Sequence, residues 1–188
     1  MPLAHFTAVD SHREKWEPIH KNLYECTIIL PTVLQTIHPN ATHLLMENTK
    51  SAKFPTYPDL QSQTQRFKYS TRVFVMMPEK THVDDLAITF NLNQNDDYQI
   101  FCFKMLKDWY DLGWNNETGT LHYKKNLVGD IIIHLHDKEG KVIRRVTYHN
   151  AMLKQITGFD EGLSWDTTTE IFELTCNFVA DYWEDFYY

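Results

Sequence analysis

Glycine is scarce in this chain: six of 188 residues, well below the roughly 7% of an average protein. No GxxxxGKS/T or GxGxxG pattern occurs, which argues against a loop that cradles phosphates with backbone amides. Cysteine is equally thin. Cys26, Cys102 and Cys176 are far apart and form no CxxC pair, which argues against a disulfide framework or a structural zinc. They read as small buried hydrophobes of a reducing compartment. A basic excess is missing too. Lys plus Arg number 18 against 25 Asp plus Glu, a net charge of −7. That balance speaks against a conventional nucleic-acid binder and against a polybasic membrane anchor. No run approaches the ~18 apolar residues of a membrane-spanning helix. Residues Met1 to Trp16 carry Asp10, Arg13, Glu14 and Lys15 and no apolar core, so no secretory signal is expected and the chain should fold in a cytoplasm.

What is present is apolar and aromatic residue, 43% and 14% of the chain, enough for one core of domain size. The expected organisation is an N-terminal arm, residues 1–21, followed by one β domain, residues 22–188. Asn22 to Leu30 is rich in β-formers and stops at Pro31, so it reads as a strand. Thr42 to Ser51 reads as another. Lys53 to Arg66 holds two prolines and a polar tail and reads as a long exposed loop. Phe67 to Met77 and His82 to Leu92 read as a hairpin closed by Pro78 to Thr81. One helix follows, with Asn95 or Asp96 as cap, Asp96 and Asp97 in its first turn, Tyr98, Phe101, Met105, Trp109 and Leu112 as its apolar stripe, and Gly113 as its stop. Leu127 to His136 and Val142 to Leu153 form a second hairpin around Asp137-Lys138-Glu139-Gly140, and Thr168 to Trp183 is a long strand. The fold class is mainly β: two packed antiparallel sheets, a sandwich or barrel, with one flanking α-helix.

Alternation assigns faces. In the last strand Phe172, Leu174, Cys176, Phe178, Ala180 and Tyr182 form a core face, opposite Ile171, Glu173, Thr175, Asn177, Val179 and Asp181. In the strand before the helix Leu86, Ile88, Phe90 and Leu92 oppose Asp85, Ala87, Thr89 and Asn91. Both polar faces contain acidic and neutral groups and no Lys or Arg. That is either ordinary solvated sheet or a surface that avoids holding a polyanion.

Catalytic chemistry finds little support. His134 and His136 share a strand face at a spacing that can chelate a metal, with Asp137 beside them. Glu139 comes too early, and the flanks too poor in glycine, for a cupin-type site, so two solvent-facing histidines are the simpler reading. Asp84/Asp85 and Asp96/Asp97 could serve acid–base chemistry, but a strand start and a helix start explain them. No GxSxG elbow occurs. The expectation is no enzyme, no metal and no cofactor. Phe186, Tyr187 and Tyr188 cannot all be buried by a short tail, which suggests a partner subunit.

Four stretches resemble the tail tube proteins of contractile-tailed bacteriophages. They are His20 to Cys26; Asp84-Asp85 with the strand that follows and Asp96-Asp97 opening the helix that holds Asp108-Trp109; Val128-Gly129-Asp130 with its hairpin; and Leu163-Ser164-Trp165-Asp166, Glu170 and Ala180-Asp181-Tyr182-Trp183-Glu184. The last is the most specific, and the likeness spans roughly residues 20 to 184. It implies a structural virion protein with a tail-tube-like β fold. Subunits would form hexameric rings whose sheets join edge to edge around a lumen, and rings would stack into a tube inside a tail sheath. Baseplate and tape-measure proteins would be partners. DNA would pass through without specific binding, and assembly would take place in the host cytoplasm. Asp85, Thr89, Asn91, Glu173, Thr175, Asn177 and Asp181 are then candidates for the lumen wall. Lys53, Pro55, Tyr57, Pro58, Asp59, Gln63 and Arg66 are candidates for a ring-stacking loop. The alternatives are a baseplate-proximal tube initiator, a His-x-His metal-dependent β-barrel enzyme, and a β-sandwich adhesion or binding module.

Overall fold

The computed structural model describes residues 19–57, 61–76, 83–93, 101–115, 117–158 and 172–188. The expected arm up to residue 18, the candidates Pro58 and Asp59, the helix cap at 95–97 and the Leu163 to Glu170 stretch lie outside them.

The elements in chain order are β1 (Tyr24–Ile29), α1 (Thr32–Ile37), α2 (Ala41–Asn48), β2 (Thr49–Ala52), β3 (Gln61–Phe67), β4 (Ser70–Met76), β5 (Val83–Asn91), α3 (Phe101–Gly113), β6 (Trp114–Asn115), β7 (Thr120–Leu121), α4 (Lys124–Leu127), β8 (Gly129–His136), β9 (Val142–Thr157), β10 (Glu173–Ala180) and β11 (Tyr182–Tyr187). The protein is mainly β and antiparallel. Among the described residues, β1-β8-β9-β10-β5-β2 form one hydrogen-bonded path that does not close into a barrel, and β11 also pairs with β9.

The 16-residue β9 organises this path. Its first half pairs with β8 on one side and β11 on the other, and its second half pairs with β10. The chain therefore builds β1-β8-β9-β11 around one half of β9 and β9-β10-β5-β2 around the other, and both sets feed one core. Cys26, Ile28, Ile131, Ile133, Val146 and Tyr148 enter it from the first set. Leu86, Ile88, Phe90, Leu174, Cys176, Phe178 and Ala180 enter from the second. Period-two alternation thus places the expected core residues of β5 and β10 correctly. Phe172 and Tyr182, expected on that face, flank the strand ends and are exposed.

Helix α3 covers the core with Cys102, Met105, Leu106 and Trp109, a stripe at three- and four-residue spacing. Each such side chain contributes roughly 1.5–3 kcal/mol by leaving water. The Trp109 ring packs 5.4 Å from Phe178, and its indole N–H donates to the Leu127 carbonyl at 2.8 Å. The second expected hairpin is present as β8 and β9. Its turn is fixed by Asp137, whose Oδ1 accepts from the Glu139 and Lys141 amides at 2.9 and 2.8 Å, with Gly140 at φ +81°.

Four expectations need correction. Thr42 to Ser51 is not a strand. Ala41 to Asn48 is helical, because Ala41 and Leu45 meet the core four residues apart, and only Thr49 to Ala52 is extended. The chain has helices α1, α2 and α4 besides the expected one. Lys53 to Arg66 is not loop throughout, since Gln61 to Phe67 forms β3. Finally, β4 pairs with β3 across Lys68-Tyr69, from Phe67↔Ser70 to Gln61↔Met76, and not with β5. Strand β5 lies between β10 and β2. The β-branched Thr71 and Val73 find their ladder partners in the Gln- and Thr-rich segment preceding them.

Candidate functional site: two polar sheet faces and a free hairpin

The β5–β10 register brings five of the seven candidate lumen residues together. Glu173 lies opposite Asn91 and Thr175 opposite Thr89, with Asn177 two residues on. The Thr89 and Thr175 hydroxyls are 3.2 Å apart, and Asn177 Nδ2 donates to Gln155 Oε1 at 3.5 Å. Lys50, on the neighbouring strand β2, forms an ion pair with Glu173. The carboxylate on this face is thereby balanced by a lysine that strand alternation alone did not bring there. What remains is a wall of hydroxyls and amides. Asp85 lies on the same strand as Thr89, in register toward the start of β5.

Asp181 sits elsewhere, at the break between β10 and β11. Its carboxylate accepts from Lys124 Nζ at 2.5 Å and from Asn150 Nδ2 at 3.0 Å, and its amide donates to the His149 carbonyl at 3.1 Å. Asn150 has φ +55°, the left-handed conformation that Asn tolerates better than most residues. This residue fixes the strand junction.

The candidate stacking residues divide in two. Lys53, Pro55 and Tyr57 lie in a segment held down against β9 and β11. Tyr148, buried in the core, donates its hydroxyl to the Lys53 carbonyl at 3.1 Å. Tyr57 packs edge-on against Trp183 at 5.1 Å, and its hydroxyl donates to Asp185 and lies 3.0 Å from the Tyr187 hydroxyl. Asp185, with a side chain only 7% exposed, also accepts from Arg144 Nε at 3.0 Å and from a second guanidinium N–H at 2.6 Å. Arg144 in turn stacks on Phe54 at 4.7 Å and Tyr187 at 5.4 Å, the planar contact that arginine favours. Burial pushes the Asp185 carboxyl up, but hydrogen bonds from Arg144 and Tyr57 and the guanidinium charge outweigh it and hold it below its ordinary range. Sequence reading missed this network because its partners are about 40 to 130 residues apart.

Gln63 and Arg66 lie on β3, in a hairpin that is solvent-exposed at every residue from Ser62 to Phe74. Phe67, Val73 and Phe74 are about half exposed or more, and Tyr69 is 90% exposed. A lone two-stranded hairpin is marginal in water, and this one presents Phe67, Tyr69, Val73 and Phe74 to solvent.

The outward face of β1-β8-β9-β11 is the second polar sheet face. Glu25 lies opposite His134, and His134 opposite Arg145. His136 Nε2 is 3.7 Å from Glu25. His149 lies between two carboxylates, 3.8 Å from Asp130 and 3.5 Å from Glu184, and stacks on Tyr182 at 4.7 Å. Burial holds His134 below the ordinary imidazole range, against the pull of Glu25 and with the help of Arg145 and His136. Among the described residues no three His, Cys, Asp or Glu side chains are grouped to hold a metal. The three cysteines are buried and free, and burial raises the Cys26 thiol to about 12 and the Cys102 thiol to about 11, which leaves them unreactive.

Extended polar faces, exposed aromatics and an unpacked hairpin define a mainly antiparallel β protein whose distinctive chemistry lies on its surfaces. The comparison with solved structures gives that class a more specific form. The chain is similar to one in the cryo-EM sheath–tube complex of an extracellular contractile injection system, PVC, in its extended state, with TM-score 0.52 and 13% identity over 100% of both chains. It is similar to one in the tube-terminating cap of the anti-feeding prophage (0.51, 15% identity, 92% of this chain and 93% of that one). A third likeness is to one in the six-fold symmetrised baseplate of the same particle (0.53, 9% identity, 91% and 97%). The fold is thus a tail-tube-like fold shared with components of contractile injection systems. No protein-family model and no curated protein matches the sequence.

Proposed function

We propose that this chain is a structural, non-enzymatic subunit of a contractile tail. Copies close into hexameric rings, and the rings stack into an inner tube surrounded by a sheath and seated on a baseplate. The observation that carries the reading is the full-length likeness to a chain of a sheath–tube complex. The free hairpin supports it, since a ring neighbour would cover what a monomer leaves exposed. The Thr89, Asn91, Glu173, Thr175 and Asn177 face, with Asp85 on the same strand, serves as lumen wall. Its one described carboxylate is paired to Lys50, and a surface without free cations releases no phosphate counterions and does not hold DNA. The tape-measure protein and then phage DNA pass along it, and assembly takes place in the host cytoplasm. The stacking role expected of Lys53 to Arg66 passes to β3–β4, with Lys53 to Tyr57 as its root.

The baseplate and cap likenesses favour a second reading, a tube initiator or terminator that stops at one ring. Sedimentation of the purified chain separates the two, because a tube protein gives long polymers and an initiator a single ring. Replacing residues 61–76 by a short linker should leave rings that do not stack. Unchanged polymers from that variant would refute the stacking role.

A further inference from the structure

The hairpin β3–β4 carries a charge the rest of the molecule lacks. Arg66, Lys68 and Arg72 lie in its tip half, and residues 61–76 contain no acidic side chain. Removing these three cations from a chain of net charge −7 leaves −10 on the remaining residues. The contacts of Lys68 and Arg72 are to the rings of Tyr69, at 5.5 Å, and Phe67, at 5.9 Å, so the tip is a cationic and aromatic prong. Seven residues of strand reach about 24 Å, far enough to engage another molecule.

Four carboxylates of the described body are each paired with a lysine or arginine. Asp111, Glu173, Asp181 and Asp185 pair with Lys107, Lys50, Lys124 and Arg144. The outward face of β1-β8-β9-β11 differs. Its carboxylates Glu25, Asp130 and Glu184 are nearly half exposed, and their ionic contacts are to histidines. In the middle of that face Arg145, opposite His134, is the one permanent cation among its described residues, so three carboxylates stand against one guanidinium. The open groove of about 770 Å³ at the β1 and β2 edges is a poor alternative for a cationic prong, because Lys21, Lys50 and Arg144 line it.

We propose that the β3–β4 tip of one copy seats on the Glu25–Asp130–Glu184 face of a second copy. The contact rests on the tube reading above and supplies the electrostatic part of ring stacking. Opposite charge across an interface sets register and rejects wrong pairings more than it adds affinity, so like-charged parts of neighbouring copies are kept apart.

A charge swap tests it, with polymer measured by pelleting at about pH 8, above the ordinary imidazole range. For the unaltered chain, the concentration giving half-maximal pelleting should rise roughly tenfold or more between about 0.05 and 0.5 M NaCl. Lys68→Glu with Arg72→Glu should abolish stacking, as should Glu25→Lys with Glu184→Lys, and the four together should restore it. All four side chains are exposed or nearly half exposed, so each variant should melt near the parent. As a second measurement, a Lys68→Cys copy mixed with a Glu184→Cys copy should cross-link into a mixed dimer, since the native thiols are buried. If polymers form but ignore salt and the swap, and no mixed dimer appears, the acceptor face is wrong and the tube reading stands. If the unaltered chain forms neither rings nor polymers, both fall.

Discussion

Gly129 occupies a position that admits only a hydrogen. A Cβ there would lie 2.2 Å from the Ile29 carbonyl oxygen and 3.2 Å from two ring carbons of Trp109. The strand β8 and helix α3 meet at this point, and the indole is already fixed by Leu127 and Phe178. Gly129→Ala should therefore cost roughly 2–3 kcal/mol of stability, read as a lower urea midpoint at unchanged slope. A midpoint equal to the parent's would contradict this packing. Asp185 gives a prediction in pH. Its carboxyl is held below its unfolded value, so the stability it contributes is fully present above the ordinary carboxylate range and is lost as pH falls through the folded-state value. Asp185→Asn should cost about 2 kcal/mol at neutral pH and should flatten the acid limb of stability, the gap to the parent closing as pH drops. A constant gap from neutral pH to about pH 2 would assign the loss to geometry and not to charge.

Among the longer described elements, the hairpin β3–β4 stands apart from the core. Its exposed side chains make no contribution to the buried cluster, so replacing it should move the melting temperature by less than about 3 °C even as it blocks stacking. A large drop would mean that the hairpin belongs to the body. This element also shows where sequence reading stops. Strands β5 and β10 were legible because Leu86, Ile88, Phe90 and Leu174, Cys176, Phe178 alternate without interruption, and the Asp137 turn because its chemistry is local. Strand β3 was not legible. Gln61 to Gln65 has no apolar alternation, because neither of its faces is buried, and β-pairing without burial leaves little trace in composition. Helix α2 failed for a different reason: Leu44 and Leu45 within eight residues fit a short strand as well as a helix, and only the core under Ala41 and Leu45 decides. Of the candidate site, the Thr89, Asn91, Glu173, Thr175 and Asn177 face followed from parity alone. The Lys50 that neutralises it and the Arg144–Asp185–Tyr57 network depend on which strands become neighbours, and spacing along the chain does not encode that.

At the scale of the whole molecule, the acidity bears on the proposed tube. Under the proposed function, the net charge of −7 disfavours holding DNA and suits a lumen wall. Thr89→Lys with Thr175→Lys should leave the fold intact and turn that wall cationic. Assembled tubes of this variant should retain duplex DNA in a salt-dependent way that tubes of the parent do not, as measured by co-sedimentation. Equal retention would place these residues away from the lumen. Electron microscopy of the purified full-length chain tests the central claim most directly. The account predicts six-fold rings with an open channel, stacked into tubes whose length grows with concentration. A monodisperse monomer at every concentration, in low salt as in high, would contradict it.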